Sequence, residues 1–244
     1  MRTKNYLLER IAKGTIHLTL IDPAKQSAET AADIVKRAMN AGTDAVMLGG
    51  STGVTNKNLD ETVEAIKCVC DLPTILFPSG AKAISGKCDA IFFMSMVNSA
   101  DIEWVIGEQV KGSLITKKLG LEPISMGYII IEPGMRVGEV GHANAIKRND
   151  LESAQSYALA CEYLGMDFIY LEAGSGADTP VPAEMITAVK KVISVPLIVG
   201  GGIRTPGAAM VARLAGADAI VTGTFVETCS ENKEMKSVID ASKG

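Results

Sequence analysis

Aromatic residues make up only 5% of this 244-residue chain, five Phe, five Tyr and one Trp, so its core must be packed mainly from aliphatic side chains. Positive charge is also scarce. With 24 Lys and Arg against 28 Asp and Glu the net charge is -4, which leaves no basic footprint, and no nucleic-acid partner is expected. No stretch approaches about 18 consecutive apolar residues and no signal-type cleavage site follows the start, so the chain reads as cytosolic, with contact at a membrane surface left open. Five cysteines, Cys68, Cys70, Cys88, Cys161 and Cys229, show no CxxC pair and are odd in number, which points to reduced thiols. Cys68 and Cys70 sit two apart on an expected helix, facing different sides, and make a poor metal clamp. HExxH is missing, and so is a dinucleotide GxGxxG with a distant acid. His17, inside a strand pattern, and His142, in a polar loop, have no partners from which to build a Ser-His-Asp arrangement.

What is present is rhythm. Short aliphatic runs alternate with segments whose apolar residues recur at three- and four-residue spacings, such as Ala32, Val35, Ala38 and Met39, or Met185, Ile186, Val189 and Val192. That alternation signals βα units around a parallel sheet. Strands are expected near Thr15 to Ile21, Ala45 to Leu48, Thr74 to Phe77, Ala90 to Met94, Met126 to Ile131, Phe168 to Leu171, Leu197 to Val199 and Ala219 to Thr222, eight in all. Three joints, AGTDAVML, LGMDFIYL and AGADAIVT, repeat one grammar: a glycine ends a helix, an aspartate follows, then a buried strand. One barrel domain over residues 1–244 accounts for this better than two unrelated domains. Only PSGAKAISGKCD separates the third strand from the fourth, too little for a full helix, so the helical ring is expected to have a gap there. Asp101 to Leu119 can supply a long helix, whereas GMRVGEVGHANAIKRND reads as a glycine-rich loop.

In such a barrel the chemistry sits at the C-terminal ends of the strands. There Gly200, Gly201 and Gly202 after the seventh strand, followed by Arg204 and by Thr205 and Pro206 at a helix start, pair with Gly223 and Thr224 after the eighth. Backbone N–H groups at these two strands form the recurrent phosphate site of the architecture, and the combination favours phosphate binding over simple tight turns. YLEAGSG closes the sixth strand, and alternation puts Tyr170 and Glu172 on one side of it. A carboxylate there can accept a proton from a hydroxyl nucleophile or hold a polyol; the alternative is a structural ion pair. Asp22 closes the first strand and Ser51 the second, and two hard oxygen donors with substrate oxygens suit a partly hydrated Mg2+. A turn role for Asp22 and a helix-cap role for Ser51 explain the same residues. Lys25 is a candidate anion contact or a solvated lysine.

Taken in order, HLTLIDPAK, MLGGST, YLEAGSG, VGGGIRT and VTGT resemble the geranylgeranylglyceryl phosphate synthase family over nearly the whole chain. The resemblance implies a modified TIM (β/α)8 barrel of the α/β class, its third helix replaced by an irregular segment, as the short PSGAKAISGKCD connection also suggests. It implies a Mg2+-dependent prenyltransferase of archaeal ether-lipid biosynthesis, joining sn-glycerol 1-phosphate to geranylgeranyl diphosphate with release of diphosphate. Carried over by position, Asp22 and Ser51 match the metal residues. The stretch Tyr170, Leu171, Glu172, Ala173, Gly174, Ser175 and Gly176 matches the glycerol phosphate loop, and Gly201 and Gly202 with Gly223 and Thr224 match the phosphate-gripping backbone.

On that reading Mg2+ and Lys25 neutralise the leaving diphosphate, while Tyr170 orients the glycerol hydroxyl and Glu172 accepts its proton. With so few aromatic residues, positioning and diphosphate electrostatics are expected to outweigh shielding of the allylic cation by rings. The gap in the helical ring is the expected exit for the twenty-carbon tail. Trp104, beside that gap, is either its end wall or ordinary core. Apolar helix faces suggest a homo-oligomer. Heptaprenylglyceryl phosphate synthase, and a sugar-phosphate isomerase or synthase barrel, stand as alternatives, together with a noncatalytic phosphate sensor.

Overall fold

Aliphatic runs of three to nine residues, each entered through a polar joint, form the strands of a closed barrel. The fold, obtained as a computed structural model, describes residues 2–244. Strands β1 (Ile16–Ile21), β2 (Ala45–Leu48), β3 (Thr74–Leu76), β4 (Ala90–Met96), β5 (Glu122–Ile130), β6 (Phe168–Glu172), β7 (Leu197–Gly200) and β8 (Ala219–Thr222) pair in chain order, and β8 returns to β1. All pairings are parallel. Around them lie α1 (Thr3–Ile11), α2 (Ala28–Ala41), α3 (Asn56–Lys67), α4 (Glu108–Leu119), α5 (Met135–Val140), α6 (Leu151–Tyr163), α7 (Ala183–Val192), α8 (Pro206–Leu214), α9 (Thr224–Thr228) and α10 (Asn232–Lys243). A π-helical turn, Glu103–Gly107, leads directly into α4.

Strand alternation divides the core in two. Leu18, Met47, Phe92, Met126, Tyr128, Phe168, Tyr170 and Ile198 fill the barrel interior, while Val46, Ile129, Ile169, Leu171 and Val199 face outward against Ile186, Val189 and Ala158 of the helices. Both strand faces are therefore buried, which is why the strands read as continuous apolar runs. At the N-terminal end α1 closes the barrel: Leu7 joins the interior cluster, and the Thr3 N–H donates to Glu122 at 2.6 Å.

The aspartates of the repeated joints explain how the strand starts are held. Asp44, Asp89, Asp167 and Asp218 precede β2, β4, β6 and β8, and each donates its N–H to the carbonyl of His17, Thr74, Ser125 and Leu197 respectively. Each carboxylate then accepts the N–H of that same residue, at 3.0, 2.8, 3.3 and 2.7 Å. A basic side chain completes every site: Lys243 at Asp44, Lys67 at Asp89, Lys4 at Asp167 and Lys190 at Asp218. The Asp89 site lies outside the three similar joints of the sequence, so the device is fourfold, one copy for every second strand. His17, also at this end, is a structural residue. Its ring spans Thr43 and Thr222 at 2.9 Å each, and burial depresses its pKa to about 3, so it is neutral.

The helical ring is broken where expected, since residues 77–89 carry no helix between β3 and β4. Side chains of the neighbours satisfy this segment instead. The Ile84 N–H donates to Asn56 of α3 at 3.1 Å, the Ala81 N–H to Glu108 of α4 at 2.5 Å, and the Ser85 hydroxyl to Asp60. Three expectations need correction. Residues 134–150 are not wholly a loop, because α5 occupies Met135–Val140. Strand β5 begins at Glu122 despite Pro123; its first four residues pair with β4, and pairing with β6 starts only at Met126. There a missing N–H on the unpaired side costs little. Finally, α3 ends at Lys67, so Cys68 and Cys70 lie beyond it, one exposed and the other buried.

Candidate active site

The loops after β6, β7 and β8 converge on a recess of about 30 Å³ lined by Tyr170, Glu172, Ser175, Gly176, Gly201, Gly202, Gly223 and Thr224. Glycine is required at two of these positions. Gly201 (φ 82°) lies under the Glu172 carboxylate, and a Cβ there would stand 2.4 Å from its Oε1; Gly202 (φ 73°) abuts the backbone at Thr179 and Pro180. No protein acceptor takes the N–H groups of Gly201, Gly202 or Thr224 among the described residues, so these donors face the recess or solvent. The Ser175 and Thr224 hydroxyls meet at 2.9 Å and tie the β6 and β8 loops together. Arg204 reaches back to the Gly176 carbonyl at 2.5 Å. Thr205 caps α8 through the Ala208 N–H, with Pro206 at the first helical position as expected. A recess rimmed by free backbone donors suits a phosphate group.

Leu171 and Ala173 do not line it. Alternation turns their side chains outward into the helix-facing cluster, and the Ala173 N–H is already given to the Gly200 carbonyl at 3.2 Å. Of the seven residues Tyr170 to Gly176, Tyr170, Glu172, Ser175 and Gly176 are the ones presented to the recess, and Gly174 acts by donating its N–H to Glu172 Oε1 at 2.7 Å.

Glu172 is 6% exposed. Burial pushes its pKa above the ordinary carboxylate value, while the Tyr170 hydroxyl and the Gly174 N–H pull in the opposite direction by favouring the anion. No basic side chain pairs with it among the described residues, so Glu172 is not held in an ion pair. It lines the recess and also a second, far larger cavity of about 370 Å³, and thus stands at their junction.

Asp22 and Ser51 both line the large cavity. Asp22 also makes the expected turn, its Oδ1 accepting the Ala24 N–H at 2.9 Å. Ser51 is not a helix cap, since Thr55 caps α3. Beside Asp22 stands Glu227 of α9, which sequence reading missed: it accepts the Asp22 N–H at 2.8 Å and pairs with Lys25 at 3.2 Å. Lys25 also lies 3.9 Å from the Asp22 carboxylate, so this lysine is engaged rather than merely solvated. Burial raises the Asp22 pKa, as does Glu227 to a lesser degree; the Ala24 N–H and Lys25 oppose the shift. Gly50 makes room for the carboxylate, because a Cβ there would lie 2.2 Å from Asp22 Oδ1. The residues fit a Mg2+ ion held by a carboxylate, a hydroxyl and substrate oxygens. Among the described residues no cluster of three His, Cys, Asp or Glu could hold a metal by itself.

Away from these polar groups the large cavity turns apolar, running between Ile84, Ile91, Phe93, Met94, Met96 and Trp104 beneath the break in the helical ring. Its size lies within the range of about 300–1,000 Å³ usual for organic ligands. Trp104 lines the cavity and packs against the barrel interior. The scarcity of aromatic residues proves misleading, because rings are concentrated here. Phe77 and Tyr128 meet edge to face at 5.3 Å, Tyr128 and Tyr170 at 5.1 Å, and Phe77 and Tyr170 lie 5.8 Å apart. These rings stand in or just after three different strands, so no local motif announces them.

Residues 9–242 match the PcrB family. Geranylgeranylglyceryl phosphate synthase of Methanococcoides burtonii is 52% identical over the full length of both chains. The enzyme of the same name from Methanosarcina barkeri is 55% identical over 88% of this chain and 87% of its own. Among solved structures, (S)-3-O-geranylgeranylglyceryl phosphate synthase from Thermoplasma acidophilum, crystallised with its substrate sn-glycerol-1-phosphate, superposes with a TM-score of 0.97 at 43% identity, over 100% of this chain and 99% of that one. With this agreement in sequence and fold along its whole length, the chain belongs to the PcrB family.

Proposed function

We propose that this protein is a Mg2+-dependent prenyltransferase that joins the 3-hydroxyl of sn-glycerol 1-phosphate to the allylic carbon of geranylgeranyl diphosphate and releases diphosphate. The observation that carries this reading is the meeting of two unlike cavities at one carboxylate. A small recess of backbone donors suits a phosphate, the apolar part of the large cavity suits a prenyl tail, and Glu172 lies where a hydroxyl held in the first would face a carbon held in the second. Gly201, Gly202, Gly223 and Thr224 grip the phosphate of the acceptor through backbone N–H groups. Tyr170 and Glu172 orient its glycerol hydroxyl, and Glu172 takes the proton as the ether bond forms. Bound between Asp22, Ser51 and the substrate, Mg2+ would supply charge neutralisation for the departing diphosphate. Lys25 adds positive charge at the same end. Phe77 and Tyr128 line the same cavity and add aromatic electron density beside a cation-like carbon.

Trp104 lines the apolar part of the cavity, and as its end wall it would favour a donor of twenty carbons over a longer one. Exposed apolar residues on two helices, Val110 and Leu114 of α4 and Val211 and Leu214 of α8, support a homo-oligomer. No helix among the described residues is long and apolar enough to cross a membrane. The test is incubation of the protein with sn-glycerol 1-phosphate and radiolabelled geranylgeranyl diphosphate, with and without Mg2+, followed by extraction of the lipid product. Diphosphate release without label transfer to glycerol phosphate would sink the reading, as would equal product from a heptaprenyl donor for the chain-length part of it.

A further inference from the structure

We infer that Arg136, at the start of α5, is a binding residue for the diphosphate of the prenyl donor. This deepens the proposed function and rests on it. The charged side chains lining the large cavity are Asp22, Glu108, Glu172 and Glu227 on the acidic side and Lys25 and Arg136 on the basic side. Lys25 is occupied by Glu227 and Asp22. A diphosphate entering this acidic cavity brings several further negative charges, and one metal ion with one engaged lysine leaves it under-neutralised.

Arg136 is placed to make up that deficit. The chain ahead of it is fastened to the loop after β6: the Gly134 N–H donates to the Ala173 carbonyl at 3.0 Å. Gly174 approaches so closely that a Cβ there would lie 2.6 Å from the Gly134 carbonyl oxygen. The arginine therefore stands in the first turn of a helix whose N-terminus is sewn to the segment that carries Glu172 and Ser175, and it lines the same cavity as they do. Its ion pair among the described residues is with Glu139, one turn along α5 at 3.2 Å, where the two side chains are 63% and 69% exposed. Such an exposed pair is weak and easily exchanged for a bidentate contact with phosphate oxygens. The glycerol phosphate recess does not include Arg136 and has Arg204 at its own rim. On the proposed function, the anion that shares the large cavity with Arg136 is the diphosphate.

The experiment is calorimetric titration with inorganic diphosphate in the presence of Mg2+, and separately with sn-glycerol 1-phosphate, of the wild type and of Arg136→Met, Arg136→Lys and Glu139→Gln. Methionine keeps an unbranched apolar stem and removes the charge. Diphosphate affinity is expected to fall about tenfold in Arg136→Met, as for the loss of one charge-assisted contact. Arg136→Lys should retain part of it, Glu139→Gln should bind at least as tightly as wild type, and glycerol phosphate affinity should be the same in all four proteins. Unchanged diphosphate affinity in Arg136→Met overturns the inference, as does an equal loss in Glu139→Gln, which would report the loop and not the charge. A loss confined to glycerol phosphate overturns it as well, and so does a wild type that binds no diphosphate. Absence of prenyl transfer by a wild type that shows the expected diphosphate pattern would instead refute the proposed reaction and leave the anion contact standing.

Discussion

Glu172 accepts the backbone N–H of Gly174 at 2.7 Å, two residues along its own chain, and this bond aims the carboxylate from the end of β6 into the junction of the two cavities. Because the group must be ionised to take a proton, Glu172→Gln is expected to lower the rate by at least about a hundredfold while glycerol phosphate still binds. Burial raises the pKa of Glu172, so acidification removes its base form at a pH above the ordinary carboxylate range. A pH profile of prenyl transfer should show an acidic limb there. A glutamine variant with wild-type rate would end the assignment.

Glycines of the phosphate recess should respond differently to one added side chain. Gly223 has φ -113°, and a Cβ there would meet Leu20 at 3.5 Å, an ordinary contact. Gly223→Val should therefore keep the fold and weaken glycerol phosphate binding by obstructing the recess. Gly201→Ala combines a left-handed φ of 82° with a clash at Glu172, so it should lower the melting temperature and activity together. Calorimetry and thermal melts separate the two; intact phosphate affinity in Gly223→Val would show that the anion sits elsewhere.

The metal reading can be tried at the proposed ligand and at the glycine beside it. Gly50→Ala would push the Asp22 carboxylate aside, since the added Cβ would stand 2.2 Å from Oδ1. Activity in this variant and in Asp22→Asn should fall, with a higher Mg2+ requirement in Gly50→Ala, while glycerol phosphate binding persists on other strands. Matching Mg2+ titrations for the wild type and both variants would contradict it.

Trp104→Ala distinguishes a cavity wall from a core residue. Enlarging the cavity should raise activity on donors longer than twenty carbons relative to geranylgeranyl diphosphate, each buried methylene being worth about 0.8 kcal/mol until the space ends. A uniform loss over a donor series, with a lowered melting temperature, would leave Trp104 as packing alone.

Stability should carry the signature of His17. Its folded pKa of about 3 lies below the ordinary value of 6.5, so between these limits the unfolded chain binds a proton that the folded chain does not. The stability contributed by the neutral ring is fully present above pH 6.5 and is lost as pH falls toward 3, by about 1.4 kcal/mol per unit. Urea unfolding of wild type and His17→Gln across that range should show a shallower slope in the variant. Parallel slopes would mean that the ring takes up its proton in the folded chain as readily as in the unfolded one.

How much of this was legible in the chain itself follows from which interactions are local. Eight aliphatic runs with helical spacing between them specify a parallel α/β barrel, because buried strands and amphipathic helices each leave a periodic trace. Likewise the short connection after β3 signalled the missing helix, and the strand-end positions of Asp22, Glu172, Gly201 and Gly223 signalled that these residues share one mouth, since the barrel puts every such position on one rim. The alternation that placed Tyr170 and Glu172 together equally turns Leu171 away, a consequence the motif as a whole conceals.

Other features exist only in three dimensions. Glu227 reaches Asp22 across the closure between β8 and β1, 205 positions apart in the chain. Phe77, Tyr128 and Tyr170 become one cluster because barrel curvature brings three strand tips together. The aspartate ring needed the register of paired strands before its fourth member, Asp89, could be seen to match the others. The sequence by itself determined the periodicity, the glycine-permitted turns and the strand-end chemistry, all set by neighbours within a few residues. Tertiary structure alone decided which distant groups share a cavity, because closing the barrel is what removes them from water together.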